Sequence, residues 1–160
     1  MLGRQPAATL VTANARGFGD GEHLLVWSWR RVAAGLVACP VIAREFQDAC
    51  GEDGAEVFLT FLTFLKALGF ASRRQLMTGA PGSLAVTPDE RQVLALIAAA
   101  QVETPALFEA HLRWLGRPKQ RHVLRIAAGA LATALEVNGL RLALPAPDAP
   151  SVCERPRAVA

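Results

Sequence analysis

The stretch Val57–Phe70, VFLTFLTFLKALGF, constrains this chain more than any other. On a helical wheel of about 100° per residue its apolar side chains cover more than half the circumference. Thr60, Thr63, Lys66 and Ala67 occupy the narrow strip that remains. A helix apolar over most of its surface must be covered by neighbours on several sides. Interrupted by Lys66, the run falls short of the roughly 20 apolar residues that cross a bilayer. The fold class it predicts is all-α: a single-domain bundle of about six helices packed around residues 57–70.

The rest of the chain agrees with a bundle. Its 160 residues suit one domain that buries a core without staples. Residues 1–20 read as a flexible N-terminal segment, 21–144 as the helical domain and 145–160 as a disordered, proline- and alanine-rich tail. Hydrophobic residues make up 52% and charged residues 19%, below the usual quarter. Much of the apolar share is alanine, which favours close helix packing. The scarcity of charge leaves apolar surface uncovered, so a homo-oligomer or a stable protein partner is expected. The net charge of +3 admits a nucleic-acid partner without requiring one.

Cys39, Cys50 and Cys153 are odd in number and lack CxxC spacing. Neither a disulfide framework nor a zinc motif follows, and a reducing, cytoplasmic setting is expected. The apolar run Ala7–Val11 is too short for a secretory signal, and no membrane span is expected. Nothing reads as a nucleophile–base–orienter set, a dinucleotide glycine fingerprint or HExxH. The chain therefore favours a non-enzymatic protein, with no cofactor and no metal.

Helix signals punctuate the domain. Asp20 is placed to cap a helix over Glu22–Val37 whose core stripe is Leu25, Val26, Trp29, Val32, Ala33, Leu36 and Val37. Pro40 opens a shorter helix ending at Gly51. Asp53 and Glu56 announce the central helix, which Gly69 and Arg73-Arg74 close. Met77–Ser83 lacks a Gly-Lys-Ser/Thr ending, so it is no phosphate-cradling loop and reads as a connector. Thr87-Pro88-Asp89-Glu90 combines an N-cap, proline at N1 and glutamate at N3, the capping-box pattern. Thr104-Pro105 repeats the signal for Ala106–Leu115, where Glu109 and Arg113 are spaced to pair. The last helix is expected over Pro118–Val137, stopped by Asn138-Gly139. Leu140–Leu144 alternates weakly, as an extended packing arm would.

Cys39-Pro40, Arg44-Glu45-Phe46, Cys50-Gly51, Pro81-Gly82, Thr87-Pro88-Asp89-Glu90 and Ala98-Ala99-Ala100-Gln101 fall in an order that resembles small all-helical proteobacterial proteins of unknown function. The resemblance spans roughly residues 25–101. It implies a helical bacterial protein and no particular activity.

Two clusters carry the functional expectations. Trp27 lies off the first helix's core stripe, within reach of Arg30 and Arg31, and these three are candidates for binding a protein partner. Self-association or regulation through such helical faces is the leading reading. The alternative is nucleic-acid or phosphate-anion binding by Arg113, Arg117, Lys119, Arg121, His122 and Arg125 around the start of the last helix. Arg117, Arg121 and Arg125 share one stripe. Positive charge at a helix N-terminus opposes the helix dipole. An offset is therefore expected from the acidic corner at residues 45–56 or from an anion. A third reading places a hydrophobic ligand between helices, against Phe58, Phe61, Phe64, Trp29 or Trp114. His111, amid Leu107, Phe108, Trp114 and Leu115, reads as a core or boundary residue rather than a ligand.

Overall fold

In a computed structural model the described residues are 17–144, and they form an all-α fold without strands. Six α-helices follow in order: α1 Asp20–Ala33, α2 Pro40–Cys50, α3 Gly54–Ala71, α4 Pro88–Gln101, α5 Pro105–Leu115 and α6 Arg121–Val137. A 3-10 turn, Gly51–Asp53, joins α2 to α3 directly, so Pro40–Ala71 counts as one helical unit, folded back on itself at Gly51, which takes φ 60° and ψ −129°. Counted that way the bundle has five helical segments rather than six. The expected flexible start falls mostly, and the expected disordered tail and Cys153 fall entirely, outside the described residues.

α3 is the organising helix, as its composition demands. Val57, Phe61, Phe64, Ala67, Leu68 and Ala71 are buried along it. They pack with Ile42 and Phe46 of α2, Leu96 and Ile97 of α4, and Leu124, Ala128, Leu131 and Leu135 of α6 in one core. Leu59, Thr63, Lys66 and Phe70 form its solvent-facing stripe. The run Pro40–Ala71 is apolar enough to resemble a membrane span by length and composition alone, but it is folded back at Gly51, with Phe46 of α2 against Phe58 and Phe61 of α3. Its expected length of residues 57–70 was too short, because α3 begins at Gly54 and Gly69 does not end it.

Gly54 explains the tight passage from α2 to α3. A Cβ there would stand 2.5 Å from the Gln47 Cα and 2.7 Å from the Phe46 carbonyl oxygen, so the two backbones meet where no other residue fits. α6 runs antiparallel to α3. Arg117, just before it, donates to Ala71 O at the end of α3, while Val137 at its far end shares a groove with Asp53 and Val57.

Three boundaries differ from the sequence expectation. α1 stops at Ala33, because Gly35 takes φ 83° and the amides of Gly35 and Leu36 return to the carbonyls of Val32 and Arg31. This is a Schellman closure. Leu36 and Val37, expected in the core stripe, are consequently exposed. Pro118–Gln120 is a turn, and α6 starts only at Arg121. Leu140–Leu144 is an extended arm without a strand partner. Its Leu140 and Leu142 are buried, and the Gln101 side chain brackets it by donating to Leu140 O and accepting from Leu142 N.

Candidate anion-binding site

The end of α3 and the α5–α6 turn are tied together by backbone. Arg73 N donates to Leu115 O at 3.0 Å and Arg117 N to Ala71 O at 2.8 Å, around a bridge between Ser72 and Gly116. Gly116 is buried, with its Leu112 and Arg121 neighbours 3.1 Å from any added Cβ. The pairing brings together two basic segments about forty residues apart in sequence, 73–74 and 113–121.

Their side chains then anchor on carbonyls. Arg73 Nε donates to Arg113 O at 3.1 Å, the Arg117 guanidinium to Phe70 O, and Arg121 Nε to Gly116 O at 3.0 Å. The charges at the start of α6 therefore sit beside the carbonyl end of α3, where a helix dipole favours cations. That end supplies the offset. The acidic corner of the same chain does not, since it lies at the opposite end of α3 and forms no ion pair with residues 113–125 among the described residues.

Each anchored guanidinium keeps several N–H groups in hand, because one fork carries five donors. Arg73, Arg113, Arg117, Lys119 and Arg121 have no carboxylate partner among the described residues. Arg125 is different. It pairs with Glu109, which was expected to pair with Arg113. Arg74 is also satisfied, forking onto Asp89 at 2.6 and 2.8 Å while lying over the Trp114 ring. Two large apolar side chains stand out at this end: Phe70, 57% exposed, and Trp114, 48% exposed. His122 is exposed on the first turn of α6. By sequence alone Phe70 belongs to the apolar central helix and Arg73-Arg74 to its close. Their membership of a face with 113–121 depends on the backbone pairing, for which no local signal exists.

Of the partner-binding candidates, Arg30 is withdrawn from the surface. It is 4% exposed and its fork meets Glu90, fully buried, at 2.7 and 2.8 Å. The remaining N–H groups donate to Ser83 O and Ala85 O at 2.5 and 2.6 Å. Glu90 also accepts from Gly79 N and Thr87 N, the latter completing the capping box of α4. Burial pushes the Glu90 carboxyl up, but Arg30 and the two amides outweigh it and hold the group below its ordinary range. The 77–86 segment is thus wrapped around a buried ion pair rather than being a plain connector. Trp27 packs partly against the core, with the Arg31 guanidinium stacked 3.7 Å from its ring centroid.

A groove of about 510 Å³ opens beside the basic end, floored by Trp29, Leu65, Leu68 and Leu76 and rimmed by Arg74 and Arg117. Of the aromatics expected to line a hydrophobic-ligand pocket, Trp29 lines this groove and the other four behave otherwise. Phe61 and Phe64 are core residues, and the cavity they share with Trp29 holds about 10 Å³, too little for any organic ligand. Phe58 stacks on Phe46 and Trp114 faces solvent. His111 is half-buried, its Nδ1 accepting from Gln92 Nε2 at 2.6 Å, and burial lowers its pKa. No group of three or more His, Cys, Asp or Glu able to hold a metal occurs among the described residues. Comparison with models of known protein families, with curated proteins and with solved structures found no match.

Proposed function

We propose that the protein is a non-enzymatic helical interaction module that holds a phosphate-bearing polyanion, a nucleic acid, at its basic end. The carrying observation is the set of five cations, Arg73, Arg113, Arg117, Lys119 and Arg121, gathered from two segments around exposed Trp114 and Phe70. Carbonyl anchoring pre-orients the guanidiniums of Arg73, Arg117 and Arg121, which lowers the entropy lost on contact. Phosphates supply sequence-independent affinity to such a surface. An exposed indole offers a stacking platform for an unpaired base. The reading fits a reducing, cytoplasmic bacterial setting, with Cys39 and Cys50 as free thiols.

Fluorescence anisotropy with labelled single-stranded and duplex oligonucleotides tests it. Binding is expected at low salt, weakening steeply as salt rises. Replacing Arg113, Lys119 and Arg121 by alanine should flatten the salt dependence by about 0.7 per lost phosphate contact on a single strand. Trp114→Ala should cost single-strand binding about 1–3 kcal/mol and duplex binding much less. No binding at low salt, or binding indifferent to the triple variant, would rule the reading out.

Head-to-tail self-association is the second reading, and a separate observation favours it. Asp20, Glu45 and Asp48 line a groove of about 550 Å³ beside Trp27 and His23, and Glu52, Asp53 and Glu56 are exposed nearby in sequence. This acidic end and the basic end sit at opposite ends of α3, so they meet only between copies. Such heterologous contacts build rings or filaments. Light scattering should then show oligomers that dissociate with salt.

A further inference from the structure

The geometry points to a binding site for a single-chain amphiphile with an anionic head, a medium-chain carboxylate, in the 510 Å³ groove between α1, the last turns of α3 and the 74–78 segment. This goes beyond the polyanion face, which it adjoins at Arg117 without depending on it.

Three features carry the assignment. The first is the division of the lining by polarity. Trp29, Leu65 and Leu76 are half-buried apolar side chains on the floor, whereas Arg117 stands exposed at the rim. Arg74, also at the rim, is neutralised by its fork onto Asp89. Arg117 spends one N–H on Phe70 O and has no carboxylate among the described residues, so a head group finds one uncompensated positive charge there. The volume lies within the range of small-molecule sites.

The second feature is Gly69. It lies inside α3, in its last turn, with no positive φ, so no backbone conformation requires glycine. Nothing among the described residues lies within 4 Å of where its Cβ would be, so no packing between them requires it either. Glycine there costs the helix about 1 kcal/mol relative to alanine. The position leaves bare backbone along the groove wall.

The third feature is the rigidity of the opposite wall. Arg74, Gln75, Leu76 and Thr78 line the groove. Their segment is fastened by Arg74 and Met77 N to Asp89, by Gly79 N to Glu90 and by the Thr87 hydroxyl to Met77 O. A wall held at both ends is present before a ligand arrives, so little ordering entropy is lost on binding.

The test is calorimetric titration of the full chain with decanoate below its micellar concentration. Decanol, decyltrimethylammonium, decyl phosphate and vesicles containing an anionic lipid are the comparison probes. Saturable one-to-one binding of decanoate is expected, shared by decyl phosphate and absent for decyltrimethylammonium. Arg117→Met should weaken decanoate roughly tenfold, the loss of one charge-assisted contact, and leave decanol unchanged. Gly69→Leu should abolish binding while the melting temperature holds or rises, and should leave oligonucleotide binding intact. Ala33→Trp, which blocks the groove from α1, gives the same readout independently. The Arg113, Lys119 and Arg121 alanine variant should retain decanoate. Decanol or decyltrimethylammonium binding as tightly as decanoate, binding seen with vesicles alone, or full affinity in both Gly69→Leu and Ala33→Trp overturns the assignment.

Discussion

Arg30 shows how far a residue's role can depart from its neighbourhood in the chain. It follows Trp29 and precedes Arg31, and its sequence context places it on a charged face. Its partner, Glu90, lies 60 positions away. Removing one member of a buried pair leaves a charge without compensation, whereas removing both costs far less. Glu90→Gln and Arg30→Met are each expected to lower stability by about 3 kcal/mol, and the double variant by much less than their sum. Urea denaturation of the four proteins checks this, and additive losses would refute the coupling. Gly79 belongs to the same network. A Cβ there would stand 2.6 Å from Arg30 Nη2, so glycine at 79 is required by a side chain from another helix. The capping box at Thr87 was legible, because its donors and acceptors lie within four residues. The second use of Glu90, as the counter-ion of Arg30, was not.

At the scale of elements, existence was legible and boundaries less so. Three proline-led starts, at 40, 88 and 105, open a helix, since proline's fixed φ and missing N–H suit the first turn, whereas Pro118 begins a turn and α6 starts at Arg121. Gly139 ends α6 with φ 75°, as Asn138-Gly139 promised. Gly35 carried the same signal for α1, but the apolar spacing of Leu36 and Val37 masked it. Gly69 gave a false stop, because a glycine near a helix end is read as a cap unless its conformation is known. Glycines within helices make a sharp comparison. Gly54→Ala drives a methyl into the Gln47 backbone and should cost about 1–3 kcal/mol. Gly129→Ala places its methyl in open space and should stabilise by about 0.5–1 kcal/mol. Thermal melts of the two variants, shifting in opposite directions, are the expected result.

The whole molecule is polarised along α3, whose 18 residues span about 27 Å at 1.5 Å per residue. Acidic side chains gather near its N-terminus and basic ones at its C-terminus, each end matching the helix dipole. Stability should follow pH through three groups. Burial lowers the His111 pKa, so the fold favours the neutral ring. Its contribution is full above the ordinary value of about 6.5 and declines as pH falls below it. For Asp89 the Arg74 fork is the main cause of a depressed pKa, and Glu90 is depressed by Arg30 and backbone amides against its burial. Their contribution is full above about pH 4 and is lost as pH falls through their lower folded values. Chemical denaturation across this range should therefore show a shallow decline below about pH 6.5 and a steep one below about pH 4. His111→Gln should remove the first and leave the second.

By itself the sequence determined the all-α class, the central place of Val57–Phe70, the helix starts at Pro40, Pro88 and Pro105, and the capping box. Each of these rests on periodicity or on contacts within one or two turns, which spacing along the chain encodes directly. The tertiary structure alone decided that Arg30 is buried, that the 77–86 segment is held by an ion pair, and that 73–74 joins 113–121 in one basic face. It alone made Gly69 the bare wall of a groove. These outcomes depend on which helices lie side by side, and the antiparallel packing of α3 on α6 sets residues that are far apart in sequence against one another.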